Sequence, residues 1–285
     1  MVLSEIFEIT RLPFEAVADY HVHCDYSVDA EGTINEYCEA AIKRGLAEIC
    51  FTTHFDSNPI DDHSLNVIRI NGENKPATIE NMAPYVDDVL NAHDKYYPLG
   101  LSVKLGVEIG WYEGCEEIVS KLKEKYDFDY ILAGLHDLDG ICFCCKNSYE
   151  KLFSKYTLTK LTEKYFEQLI KATQTNLFDA IAHACYYLRY GRKFYSNEIE
   201  IIHKEYMGDF FETLKNSDTS LEINTSGIRH GNDHYYPHMP FVNSAKKAGV
   251  EFNHIGSDSH HPSQIGLDFE IAVSLIPDAI KGSEA

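Results

Sequence analysis

Positive charge is scarce in this chain: its 285 residues hold 25 Lys and Arg against 45 Asp and Glu, a formal net charge of −20. Proteins that hold nucleic acid neutralise phosphates with clustered Lys and Arg, so this balance argues against a nucleic-acid partner. Long apolar runs are missing as well. None approaches the roughly 20 residues of a membrane-spanning helix, and the acidic opening stretch MVLSEIFEIT lacks the positive charge of a signal peptide. No membrane partner is expected, and the expected location is the cytoplasm. Cysteine is present without a regular pattern. Cys24, Cys38, Cys50, Cys115, Cys142, Cys144, Cys145 and Cys185 are scattered, unlike a secreted disulfide framework, and read as reduced thiols. The cluster CFCC at 142–145 has no second pair with structural-zinc spacing nearby, which argues against a zinc knot. Linkers, repeats and low-complexity tracts are absent, so residues 1–285 read as a single domain.

What is present is an alternation. Short apolar runs rich in β-branched residues predict strands over 18–23, 47–52, 102–108, 129–135, 178–183, 219–224 and 251–256. Helical patterns lie between them, over 34–45, 80–96, 114–125, 158–175, 197–216 and 239–249. In the first helix Thr33 and Glu36 fit a capping box, Ile34, Tyr37, Cys38, Ala41 and Ile42 form the apolar stripe, and Gly45 fits the stop. Strands alternating with helices predict an α/β fold with parallel pairing and right-handed crossovers, as an open sheet or a closed barrel. No glycine-rich phosphate loop follows the first strand, which weakens a nucleotide-binding open sheet. The stretches 55–78 and 137–157 read as irregular, substrate-covering loops.

Polar residues gather where the strands stop. The stretch DYHVHCDYSVDA carries His21 and His23, spaced so that both rings leave one face of a strand. His54, Glu108, His136 and His183 follow at later strand ends, and Asp258 and His260 follow the last. In a parallel barrel all these ends open on one rim. A strand-end histidine taken singly is usually an ordinary hydrogen-bonded residue. Six of them with two acids at corresponding ends point to a multinuclear metal site. Asp29 is a further candidate, because Thr33 already caps the helix that follows it.

The series H-x-H (His21, His23), TTH (His54), GVEIG (Glu108), GLHDLDG (His136), AHA (His183) and GSDSH (Asp258, His260) resembles the polymerase-and-histidinol-phosphatase, or PHP, superfamily over about residues 18–270. LEINTSGIR at 221–229 resembles the histidinol-phosphate phosphatases within it. The resemblance implies a distorted, TIM-like (β/α)7 barrel with two or three divalent transition-metal ions, zinc, iron or manganese. It implies that His21, His23, Glu108 and Asp258 hold one ion and that Glu108 bridges to a second, held with His136 and His183. Asp29, His54 and His260 hold a third when it is present.

Such a site implies hydrolysis of a small phosphate monoester, L-histidinol phosphate in the narrower match. Two ions sharing Glu108 would polarise a bridging water whose hydroxide would attack phosphorus, and His260, His54 or a metal-bound water is the candidate proton donor to the leaving alkoxide. Arginine suits bidentate phosphate pairing, which makes Arg189 and Arg229 the candidate substrate grips. Glu222 and Asn224 read either as orienting groups or as a strand-end polar pair. His230, His234 and His238, in RHGNDHYYPHMP, lack strand-end placement and read as exposed loop histidines. The alternatives are a phosphoesterase for another sugar or nucleotide phosphate and a non-catalytic metal-binding scaffold.

Overall fold

The protein is described here by a computed structural model covering residues 17–60, 66–200, 202–232 and 234–276. The acidic opening stretch lies outside the described residues. Seven parallel strands form the frame: β1 (Val17–Val22), β2 (Leu46–Phe51), β3 (Ser102–Gly110), β4 (Tyr130–Gly134), β5 (Ala180–Ile181), β6 (Ser220–Asn224) and β7 (His254–Gly256). They pair in chain order from β1 to β7. The Val22–Ser259 bridge and the His23 N–H donated to Ser259 O at 2.9 Å bring the last strand back to the first. The result is a nearly closed, TIM-like α/β barrel.

Helices α1 (Ile34–Arg44), α2 (Ala83–Tyr96), α3 (Glu116–Lys125), α4 (Leu158–Gln174), α5 (Met207–Lys215) and α6 (Met239–Ala248) join these strands. Every residue of β1, β4 and β6 is buried, as expected of strands covered on both faces. The main core fills the space between strands and helices, with Tyr37, Phe51, Tyr85 and Phe166 among its largest side chains. A smaller cluster of Tyr20, Cys50, Tyr130, Leu132 and Ala180 fills the barrel interior.

The first helix is built as its sequence predicts. Thr33 Oγ1 accepts the Glu36 N–H at 3.3 Å, Glu36 Oε2 accepts the Thr33 N–H at 2.7 Å, and Gly45 ends the helix at φ 84°. Thr33→Ala should cost about 1 kcal/mol of folding stability, read as a shift in the urea midpoint at unchanged slope.

The two long loops are more ordered than expected. The stretch 55–78 contains a hairpin, Val67–Ile70 with Glu73–Pro76. Its turn is Asn71-Gly72, at φ 52° and 79°, the positive values that two-residue hairpins demand. The stretch 137–157 holds a hairpin of Asp137–Leu138 with Ile141–Cys142 and the helix Tyr149–Lys155. The helix predicted over 197–216 is regular only over Met207–Lys215. Before it, Ser196 takes a φ of 60° and Ile199 packs against Gly191, which turns the chain out of a continuous helix.

Candidate metal centre

The strand ends bring all nine sequence-predicted ligands together. An irregularity in the β1–β2 register between Asp19 and Val22 re-aims the end of β1. Tyr20 therefore faces the barrel interior while the adjacent His21 faces the site. His54 lies on a short strand, His54–Phe55, paired in parallel with β3 so that His54 stands opposite Glu108. His136, His183 and Asp258 each stand two residues beyond the ends of β4, β5 and β7.

Glu108 is the centre of the group. Its Oε2 lies 2.9 Å from His54 Nδ1, 3.4 Å from His21 Nε2 and 3.5 Å from His23 Nε2. Its Oε1 lies 2.8 Å from His183 Nε2 and 3.2 Å from His136 Nε2. Burial opposes its charge, but His21, His136 and His54 outweigh burial and hold its pKa well below the ordinary carboxylate range. Asp258 Oδ1 lies 3.5 Å from His23 Nε2 and 3.7 Å from His21 Nε2. Asp29 stands at the rim, with one oxygen 3.7 Å from His54 Nε2 and the other 3.4 Å from His260 Nε2. Burial lowers the pKa of His54, yet Asp29 and Glu108 raise it to about 9.

The donor set fits divalent transition metals. His21 Nε2 faces His23 Nε2 at 2.9 Å. His21 Nδ1 sits 2.7 Å from Glu222 Oε1; an ionised carboxylate only accepts, so the neutral ring carries its proton on Nδ1 and aims a lone pair at His23. Beside them Glu108 Oε2 is buried without a hydrogen-bond partner. Two imidazole nitrogens in close approach beside a buried carboxylate oxygen form a donor set for a cation, and imidazole mixed with carboxylate suits zinc, iron or manganese.

Supporting groups hold this geometry. Glu222 contacts His21 and also accepts the His183 N–H at 2.7 Å and the Asn224 side-chain amide at 3.1 Å. Asn224 Oδ1 accepts from the Ser226 hydroxyl at 2.6 Å, and that oxygen lies 3.1 Å from Asp258 Oδ2. Of the two readings of Glu222 and Asn224, the orienting one matches these contacts. His183 and Asp258 take left-handed φ values of 31° and 52°, a strain of order 1–3 kcal/mol each that the surroundings must hold. Gly134 is required for a different reason: a Cβ there would strike Glu108 Oε1 and the His136 ring.

The centre forms the floor of a cavity of about 510 Å3, within the range of small-ligand sites. Arg189 and Arg229 both line it. Arg229 Nη2 donates to the carbonyls of Ser257 at 2.6 Å and Asp258 at 2.9 Å, while its buried Nη1 has no hydrogen-bond partner. Arg189 Nη1 donates to the Tyr186 hydroxyl at 2.6 Å.

Sequence reasoning missed five cavity residues: Asp56, 3.5 Å from His136 Nδ1, and Lys146, Tyr186, Tyr190 and Gln264. Only Asp56 left a signal, standing two residues after His54 on the same short strand. The reading of His230, His234 and His238 as exposed is corrected. His234 and His238 are buried, and His230 lines the cavity, where burial and the nearby Arg189 lower its pKa to about 3. The fold returns their loop against β6 through Asn224 and Tyr236, which exchange backbone hydrogen bonds at 2.8 and 2.9 Å.

Comparison with known proteins places this geometry in context. A family model of the PHP domain matches residues 19–226. A protein from Clostridium acetobutylicum named "Probable histidinol-phosphatase" is 30% identical over 91% of this chain and 92% of its own. One of the same name from Deinococcus radiodurans is 27% identical over 92% of this chain and 93% of its own. Among solved structures, histidinol phosphate phosphatase from Lactococcus lactis, complexed with zinc, L-histidinol and phosphate, superposes with a TM-score of 0.73. That alignment is 20% identical and covers 93% of this chain and 94% of that one.

Proposed function

The chain belongs to the PHP domain family and is a hydrolase of phosphate monoesters; from that premise we propose that it converts L-histidinol phosphate to L-histidinol and phosphate with divalent metal ions as cofactors. The observation that carries this reading is Glu108 at the meeting point of five imidazoles, on the floor of a cavity walled by two arginines.

His21, His23, Glu108 and Asp258 would hold one ion, Glu108 with His136 and His183 a second, and Asp29, His54 and His260 a third. Bound there, zinc, iron or manganese supplies Lewis-acid polarisation of phosphoryl oxygens and a nucleophilic hydroxide near neutral pH. The residues do the positioning. Arg229 is fixed by two carbonyls on the same loop as Asp258, so its guanidinium is held at the cavity wall, where it would pair with a phosphoryl oxygen. Arg189, oriented by Tyr186, would supply a second guanidinium at the cavity wall. His260, whose Nε2 lies 3.4 Å from Asp29, would be the candidate to hand a proton to the leaving alkoxide. His260 is more open to the cavity than His54, at 28% against 17% side-chain exposure.

The substrate's ammonium and imidazole match Asp29, Asp56, Tyr186 and Tyr190 in the cavity wall. Sugar phosphates and mononucleotides offer no ammonium to these acids. Histidinol phosphate should therefore exceed glucose 6-phosphate and AMP in kcat/KM by at least about a hundredfold, roughly 2.7 kcal/mol. The panel is run separately with manganese, iron and zinc. Comparable rates across it keep the phosphatase and discard the named substrate.

Glu222→Gln tests the positioning of His21. The amide keeps the shape but loses the charge that holds the Nδ1 proton, and metal affinity should fall about 10–100-fold. Zinc affinity by competition with a chromophoric chelator checks this; an unchanged value returns Glu222 to a structural role.

A further inference from the structure

The CFCC stretch is unused by the catalytic reading, yet it lies at the mouth of the same cavity. Cys144, Cys145 and Lys146 line that mouth, and Cys142 is buried just behind them. Phe143 is fully buried against Tyr165, and its N–H donates to His136 O at 3.1 Å. With Phe143 anchored inward, the chain bends so that the cysteines on either side turn the same way. The Cys145 N–H donates to Cys142 Sγ at 3.1 Å, which closes the bend. Cys142 Sγ lies 3.1 Å from Cys144 Sγ, and Cys144 Sγ 3.9 Å from Cys145 Sγ. All three sulfurs fall within 4.8 Å of one another.

We propose that Cys142, Cys144 and Cys145 form a separate site for one thiophilic d10 cation, zinc or monovalent copper, distinct from the imidazole and carboxylate centre. Ligands bound to zinc at about 2.3 Å in tetrahedral geometry stand about 3.8 Å apart, inside the span of the observed sulfur separations. Soft thiolates select these cations over manganese or magnesium. The missing second cysteine pair is no obstacle, because three protein ligands with an open fourth position is an established zinc arrangement. Here that position faces the cavity.

Charge and protons balance. Binding of zinc releases three thiol protons to solvent and leaves one net negative charge on the cluster. Lys146 and Arg189 line the same cavity and offset it. Without a cation the thiols stay protonated: contact with Cys142 and Cys145, with burial added, pushes the Cys144 thiol up. The other five cysteines are fully buried and cannot imitate the site.

The test titrates the whole protein, its catalytic centre loaded with manganese, with cadmium as the probe. A sulfur-to-cadmium charge-transfer band should appear in the ultraviolet and saturate at a single added equivalent. The catalytic ligands contain no sulfur and contribute nothing to it. The band should be lost in Cys144→Ser/Cys145→Ser. Absence of the band in the wild type, or its persistence in the variant, overturns the proposal. A second measurement uses the wild type alone: one equivalent of zinc should protect Cys144 and Cys145 from iodoacetamide at least tenfold, read by peptide mass spectrometry. Equal alkylation with and without zinc also overturns it. Neither readout depends on phosphatase activity, so failure here leaves the catalytic reading standing.

Discussion

Chelation of the metal ions should lower phosphatase activity at least about a thousandfold, about 4 kcal/mol of transition-state stabilisation, and readdition of manganese, iron or zinc should restore it. The reason lies in the scarcity of other positive charge. Among the described residues, Arg189, Arg229 and Lys146 are the Lys and Arg that line the cavity. Two arginines can hold a phosphate but cannot generate a nucleophile near neutral pH. A second signal accompanies the loss. A ligand held at a thousand times its Kd contributes about 4 kcal/mol to folding stability, so the stripped protein should melt at a lower temperature. Elemental analysis of the purified protein supplies the count of ions. Full activity after chelation, with less than one ion per chain, ends the metal-dependent reading.

The largest effect of a single substitution is expected at Glu108. Glu108→Gln removes the charge that both of its oxygens present to five imidazoles. Breaking a buried charge pair by removing one partner costs about 3–5 kcal/mol, and kcat/KM should fall at least about a thousandfold. On the proposed assignment, His54→Ala touches the outermost ion alone and should cost about ten- to a hundredfold. Metal content separates the two further: the Glu108 variant should lose ions from both inner positions, the His54 variant only the outer one. The reverse order of activities means that the ions are assigned to the wrong residues.

The barrel and the gathering of the candidate ligands at one rim were legible because strand periodicity and the polar residues at strand ends are local signals. His136, His183 and Asp258 each sit at the same offset from a strand end, and that offset survives errors of a residue or two in the strand boundaries. The hairpin at Asn71-Gly72 carried a signal as well, since Asn-Gly favours the positive φ of its turn, but its strands are short and Glu73–Pro76 is exposed. Other features had no local signal. His230 reaches the cavity only because its loop folds back on β6. The three sulfurs converge only because Phe143 finds a place in the core. Such placements depend on tertiary paths that one-dimensional spacing does not encode.

Asp19 has a consequence beyond the site it adjoins. It is wholly buried, and one oxygen accepts the Ser257 N–H at 2.9 Å while the other accepts the Gly266 N–H at 2.9 Å. These bonds tie the first strand to chain 238 and 247 residues away. The entropic cost of closing so long a loop grows only logarithmically with length, yet until it closes β1 and β7 each present an open row of backbone donors and acceptors. Open edges of that kind recruit other chains. One carboxylate at the seam therefore helps keep closed two strand edges that would otherwise lie open to other chains.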